Sequence, residues 1–279
     1  MAKARVSPTT ALINKLRKDL ADNASIARGV ALTPVTRNKL NAEIEKGAHQ
    51  LDSLLAELDP IKRPTELFDP GNPRTIGFFI ALALTAQPRQ PLATMTPVYG
   101  SGVYALYYTG PFAEYAALAG SETPIYVGQA APGNEHARTP REQGKRLAAR
   151  LHEHKKTIER AVSTLSINHF EARALVVQTG WETVAEDYLI RLFRPIWNKE
   201  TKIIQGFGKH GDDPQRRKNK VSSWDVLHHG RAAAGHGVNP NQKSLSQLSN
   251  ELAHHFLQYP CYRSVQDVLD GFLRALRQI

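Results

Sequence analysis

Three short runs of β-branched and aromatic residues sit inside a chain that is otherwise helical in pattern, and they set the fold class. Residues 103–108 (Val103-Tyr104-Ala105-Leu106-Tyr107-Tyr108), 124–128 (Pro124-Ile125-Tyr126-Val127-Gly128) and 167–177, with Ala174-Leu175-Val176-Val177 near its end, read as strands. Only a turn-rich insert separates the first two, which predicts an antiparallel pair. Around them, apolar residues recur at helical spacing in 9–58, 76–85, 141–158, 181–193, 244–258 and 264–278. Thr33 and Pro34 stand where an N-cap and first helical residue belong, so 9–58 reads as two antiparallel helices. Pro195 stops the helix whose Leu189, Ile190 and Phe193 point inward. The expectation is an α/β (α+β) fold: a small antiparallel three-stranded sheet flanked by helices, with helical N- and C-terminal extensions.

Prolines punctuate 59–73 and again 87–97, and the second cluster is the expected domain boundary. The chain divides on this reading into a helical extension (1–92), a core with a basic loop (93–231) and a second helical extension (232–279) suited to oligomerisation. One cysteine, Cys261, excludes an intramolecular disulfide and any zinc site built on paired thiolates. The longest apolar run, 76–86, falls well short of the roughly 20 residues of a membrane span. Residues 1–10 carry no apolar signal core, so a cytoplasmic protein with no membrane partner is expected.

The charge is uneven. Lys and Arg number 36 against 26 Asp and Glu, a net +10. Residues 136–160 hold eight Lys/Arg against three acids, and 191–231 hold ten against four, so these two segments account for the whole surplus. Localised positive charge is the footprint of a phosphate-tracking surface. Charge alone is equally compatible with a solvated helix face and a basic loop.

Several patterns carry little weight. Gly100-Ser101-Gly102 with Glu122 mimics a dinucleotide fingerprint but opens a strand where that motif must open a helix. Glu200-Thr201-Lys202 with Asp187 upstream resembles an acidic nuclease cluster, yet it is short and splits between a helix and a loop. His152 and His154, two apart on a helix, face different ways and do not share a metal.

A longer constellation is more specific. Gly102-Val103-Tyr104 lies on one strand and Tyr126-Val127-Gly128 on the next. Arg150 and His154 share a face of the following helix, Glu186 sits on a later one, and Asn198 comes twelve residues beyond it. This order resembles the GIY-YIG nuclease superfamily, and in particular its type II restriction endonuclease branch. Arg194-Pro195-Ile196-Trp197-Asn198, Gly206-Phe207-Gly208 with His210, and Ser223-Trp224-Asp225-Val226-Leu227-His228 extend the resemblance over about half the chain, roughly residues 98–231. One departure is Gln129, where some restriction members have a lysine that assists the base.

The resemblance implies an Mg²⁺-dependent endonuclease, with Mn²⁺ as a substitute, that cuts double-stranded DNA at a short GC-rich palindrome such as CCGCGG. It implies Tyr104 as general base, Tyr126 positioning water or phosphate, Arg150 neutralising non-bridging oxygens, Glu186 as the metal ligand, and Asn198 hydrogen-bonding the site or the phosphate. A free tyrosine, with a pKa of about 10, is ionised about once in a thousand at pH 7. Tyr104 therefore needs help from nearby cations or a proton acceptor, for which His154 is the expected residue. Lys209, His210, Arg216, Arg217, Lys218 and Lys220 are the expected DNA contacts, divided between phosphate and base readout. A twofold target implies a homodimer or homotetramer, and the family implies a companion DNA methyltransferase. The alternatives are a structure-specific repair or recombination nuclease and a non-catalytic DNA-binding module.

Overall fold

The computed structural model describes residues 7–58, 61, 69–161, 163–207, 222–228 and 243–276. Contacts divide the chain into two units, Met1–Thr65 and Glu66–Ile279.

The first unit holds α1 (Pro8–Gly29) and α2 (Pro34–Leu58). Both begin as the sequence predicts: the Ser7 and Thr33 hydroxyls accept from Thr10 N and Thr36 N, and Pro8 and Pro34 open the first turns. The close antiparallel packing expected of them is not found among the described residues. Neither helix buries a single residue, and ten of their large apolar side chains remain between 45% and 72% exposed.

The second unit is built on a four-stranded antiparallel sheet. Its strands are β1 (Gln90–Pro91), β2 (Gly102–Tyr108), β3 (Tyr126–Ala130) and β4 (Phe170–Val176), in the order β1-β4-β2-β3. Three of these are the expected strands. The fourth, β1, pairs Gln90 with Ala172 and Pro91 with Glu171. It was not legible because it is two residues long and contains a proline, which lacks a ladder N–H and is confined to sheet edges. In the centre of the sheet Tyr104 stands opposite Gly128 on one side and Ala174 on the other.

β2 is buried at all seven positions, so both its faces need a cover. Tyr104, Leu106 and Tyr108 face a core shared with Leu147, Leu151 and Ile158 of α5 (Arg146–Glu159) and with Leu248 and Leu252 of α8 (Leu245–Gln258). Val103, Ala105 and Tyr107 face the opposite core. It is built from Phe78, Ala81 and Leu84 of α3 (Pro73–Thr85), Ala185, Leu189 and Phe193 of α6 (Glu182–Phe193), and Val268 and Phe272 of α9 (Val265–Leu276). Thus α3, α8 and α9, which the sequence division places in terminal extensions, complete the two cores of the second unit.

The single helix expected over 141–158 is broken. A short α4 (Pro140–Gln143) ends at Gly144, whose φ of 85° lies in the left-handed region that favours glycine, and α5 starts two residues later. The turn lets Gly144 O accept from Gly100 N at 2.7 Å, and Gly100 O accept from Leu147 N at 3.1 Å. The break thereby ties the start of α5 to the start of β2. A last helix of the core, α7 (Ser223–Leu227), is capped by Ser222 and buries Trp224 and Leu227.

Candidate active site

α5 and α6 lie on opposite faces of the sheet, and the expected catalytic side chains gather between them around the β2–β3 pair. Leu147, Leu151, His154 and Ile158 form the buried stripe of α5. His154 is therefore carried inward while His152 is exposed. Its Nε2 lies 2.7 Å from the Tyr104 hydroxyl. The Tyr126 ring is 5.0 Å from the imidazole and 6.2 Å from the Tyr104 ring. The spacing that puts Arg150 and His154 on one face holds: Arg150 acts on both phenols, lowering the Tyr104 and Tyr126 pKa values and being raised by them in turn. One Arg150 nitrogen also pairs with Glu153 at 2.7 Å.

Glycine at 128 has a steric reason. A Cβ there would meet the Tyr104 hydroxyl and its ring carbon, the latter at 2.6 Å, so the bare backbone of β3 is the slot that receives the phenol. Gly102, with φ 155°, would drive a Cβ into the Leu175 carbonyl. Just before it, Ser101 donates to Glu182 at 2.8 Å and its N–H donates to the Gln143 amide at 3.0 Å. This buried brace fixes where β2 enters the site. Its members are up to 81 residues apart, and no local pattern in the sequence signals them.

Electrostatically, the site disfavours charge on its own acids. Burial, Tyr126 and Glu186 push the Tyr104 hydroxyl well above its ordinary range, against the pull of Arg150. Tyr126 is raised to about 12, by burial and then by Glu186. His154 is lowered to about 3 by burial and by Arg150. Glu186 is raised to about 7, by burial first, then by Glu200 and Asp187. The Asp187 and Glu200 of the pattern given little weight above thus lie in the field of Glu186, although they do not gather with it into a metal cage. Among the described residues no group of three or more His, Cys, Asp or Glu forms one.

Glu186 fits a divalent cation on the chemistry of its surroundings. A half-buried carboxylate crowded by two more is relieved by a positive charge. A single protein carboxylate suits Mg²⁺, which keeps several waters. Gln129 donates to Thr183 Oγ1 at 3.1 Å and hydrogen-bonds Glu186, so the residue at the family's lysine position supports the carboxylate.

Asn198 is close by but otherwise engaged. Its Oδ1 accepts from Val127 N at 3.0 Å and its Nδ2 donates to Val127 O at 2.8 Å, while Trp197 N donates to Ile125 O at 3.1 Å. The amide closes the outer edge of β3, a positioning role and the first of its two expected contacts, the site or the phosphate. Phe207, quoted above only within Gly206-Phe207-Gly208, stacks on His154 at 4.7 Å and 15° and also touches Tyr126 and Trp197. The expected DNA contacts Lys209, His210, Arg216, Arg217, Lys218 and Lys220 all lie outside the described residues.

The family described as the Eco29kI GIY-YIG domain matches residues 96–256, more than half of the chain. The chain belongs to this GIY-YIG family. Its members are GIY-YIG nucleases of the type II restriction endonuclease kind, for which DNA is the substrate. The match spans β2, β3, α5 and α6, and so every tyrosine, arginine, histidine and glutamate of this GIY-YIG site. No curated protein matches the chain. No described helix of the GIY-YIG chain is long and apolar enough to cross a membrane.

Proposed function

We propose that this GIY-YIG nuclease is a type II restriction endonuclease that hydrolyses double-stranded DNA at a short GC-rich palindrome, with CCGCGG the first target to test. It acts with Mg²⁺, or Mn²⁺ in its place, in the cytoplasm beside a methyltransferase that protects host DNA. The observation that carries this reading is the convergence of Tyr104, Tyr126, Arg150 and His154 on one strand pair, with Glu186 in electrostatic reach of both phenols.

Tyr104, as phenolate, takes a proton from the attacking water, whose oxygen bonds to phosphorus as the bond to the 3′ oxygen breaks. Arg150 balances the charge that grows on the non-bridging oxygens, and Tyr126 orients the water or the phosphate. Glu186 would hold the divalent cation, which when bound supplies positive charge beside the scissile phosphate and the leaving oxygen. A DNA-binding module without catalysis has no use for a carboxylate beside a phosphate site.

Digestion of a sequenced plasmid with Mg²⁺, followed by end mapping, tests the reading. Discrete fragments with a common palindromic end are expected. Intact plasmid together with cleavage of branched or nicked DNA would replace it with the structure-specific alternative.

The symmetric target calls for two protomers, and the first unit supplies a seam. Leu40, Ile44, Gly47, Leu51, Leu54 and Leu58 of α2 recur at alternating steps of four and three residues, the spacing of a two-stranded coiled coil. A lone helix in water is marginal. The exposed apolar side chains of α1 and α2 offer area on the order of the 800 Å² per partner that a stable interface buries. The occupant proposed is a second copy of this chain. Light scattering should give at least twice the protomer mass, and Ile44→Glu with Leu54→Glu should bring it to one protomer. A wild-type protein of one protomer mass, with and without DNA, overturns this.

A further inference from the structure

We infer that His154 serves as a neutral hydrogen-bond donor to the Tyr104 oxygen, held in its Nε2–H form, and that it never takes the phenolic proton. The inference rests on the reading of Tyr104 as base and replaces the acceptor role expected of His154 from sequence.

The observation behind it is an orphaned atom. His154 is 2% exposed. Its Nε2 meets the Tyr104 hydroxyl at 2.7 Å, but its Nδ1 is fully buried and has no hydrogen-bond partner among the described residues. Phe207 lies flat on one face of the ring at 4.7 Å, and Tyr126 stands against it at 5.0 Å. Accepting a proton at Nε2 requires an Nδ1–H, and the product imidazolium would carry that N–H, with positive charge, into a place with no acceptor. An unpaired buried charge is strongly destabilising. Attraction to neighbouring ring faces is weaker and does not offset it. The charged and titratable groups around the imidazole are Tyr104 on β2, Tyr126 on β3 and Arg150 on α5, while Glu186 on α6 bears on the two phenols. The nearest fixed charge is thus a cation, and it further disfavours imidazolium.

Between the two neutral forms, the Nδ1–H form would bury an orphaned ring donor, whereas in the Nε2–H form Nδ1 keeps a bare lone pair and the phenolic O–H turns to Tyr126, with which Tyr104 also hydrogen-bonds. Orphaned buried N–H groups are the rarer of the two in folded proteins. The Nε2–H form aims its proton at the Tyr104 oxygen. That bond strengthens when the phenol ionises, because charge-assisted bonds are about twice as strong as neutral ones. The proton balance follows. The phenolic proton leaves to hydroxide or a buffer base before the chemical step. The phenolate then takes one proton from the attacking water, and His154 remains neutral throughout. It is a positioning residue that acts through Tyr104.

Glutamine separates the two roles, because it keeps a donor at the position of Nε2 and has no basicity. His154→Gln should retain cleavage within about tenfold of wild type, with the same rise of rate with pH, whereas His154→Leu should lose about a hundredfold or more. Equal loss in both variants overturns the inference. An independent measurement needs no cleavage: ¹⁵N NMR of histidine-labelled, DNA-free wild-type protein should find His154 neutral with its proton on Nε2 from pH 5 to 9. A protonated Nδ1, or titration within that range, overturns it. If the DNA-free protein gives the expected NMR result but cuts no DNA, the nuclease reading fails and the placement of the proton stands.

Discussion

Tyr104→Phe is expected to lower single-turnover cleavage by about 10²–10⁴-fold, the span that a positioned general base contributes. The substitution is nearly isosteric. The ring still fills the slot left by Gly128, and leaving the buried His154 Nε2 without its partner costs about 1–3 kcal/mol of stability, so folding and DNA affinity should survive. The wild-type pH profile provides a second signature. Burial holds the phenol well above its ordinary pKa, so the active phenolate grows about tenfold per pH unit through the neutral and mildly alkaline range. The rate should climb throughout that range without a plateau. A high pKa makes the phenolate scarce and also a stronger base, which limits the net penalty. Cleavage by Tyr104→Phe at the wild-type rate, or a flat profile above pH 7, would remove Tyr104 from the role of base.

Glu186→Gln should have the next largest effect, and in two opposite directions. Cleavage should fall on the order of 10³-fold, since several kcal/mol of charge stabilisation are lost with the cation's protein ligand. Stability of the metal-free protein should rise. The Glu186 carboxyl is raised to about 7 from its ordinary value. Its protonated form favours the folded state, and that advantage is lost as pH climbs through 7. Above that pH the ionised side chain opposes folding by roughly 1–3 kcal/mol. Glutamine carries no charge at any pH. The variant should therefore melt higher than wild type at pH 8, by about 2–4 °C per kcal/mol, and level with it near pH 4. Added Mg²⁺ should raise the melting temperature of wild type and not of the variant. A lower melting temperature for Glu186→Gln at pH 8 would mean that the carboxylate is structural.

Tyr104, Tyr126, Arg150, His154 and Glu186 were legible in the sequence because each is read within one element: a strand motif, a helix face, a lone carboxylate on a helix. The links between elements were not. The contact of Tyr104 with His154 spans 50 residues and that of Val127 with Asn198 spans 71, distances over which no periodicity speaks. Asn198 was found by its position, but its partner was left open between the site and the phosphate, since an amide suits a phosphate oxygen and a backbone edge equally well. The break at Gly144 was hidden because α4 is a single turn, Pro140–Gln143, with no apolar residue after its proline to mark a separate helix. The strand β1 was hidden because its proline reads as punctuation.

The amide of Asn198 also bears on solubility. β2 is a seven-residue stretch of β-formers without charge or proline, the kind of segment that pairs with copies of itself when laid bare. On one side it is shielded by β3 alone, five residues long, whose outward backbone groups at Ile125 and Val127 are taken up by Trp197 and Asn198. Around Val127 that edge consequently offers no template to another chain. A chain that lost the Asn198 clasp would release β3, expose β2, and be drawn toward aggregation before any defect in its chemistry could be seen.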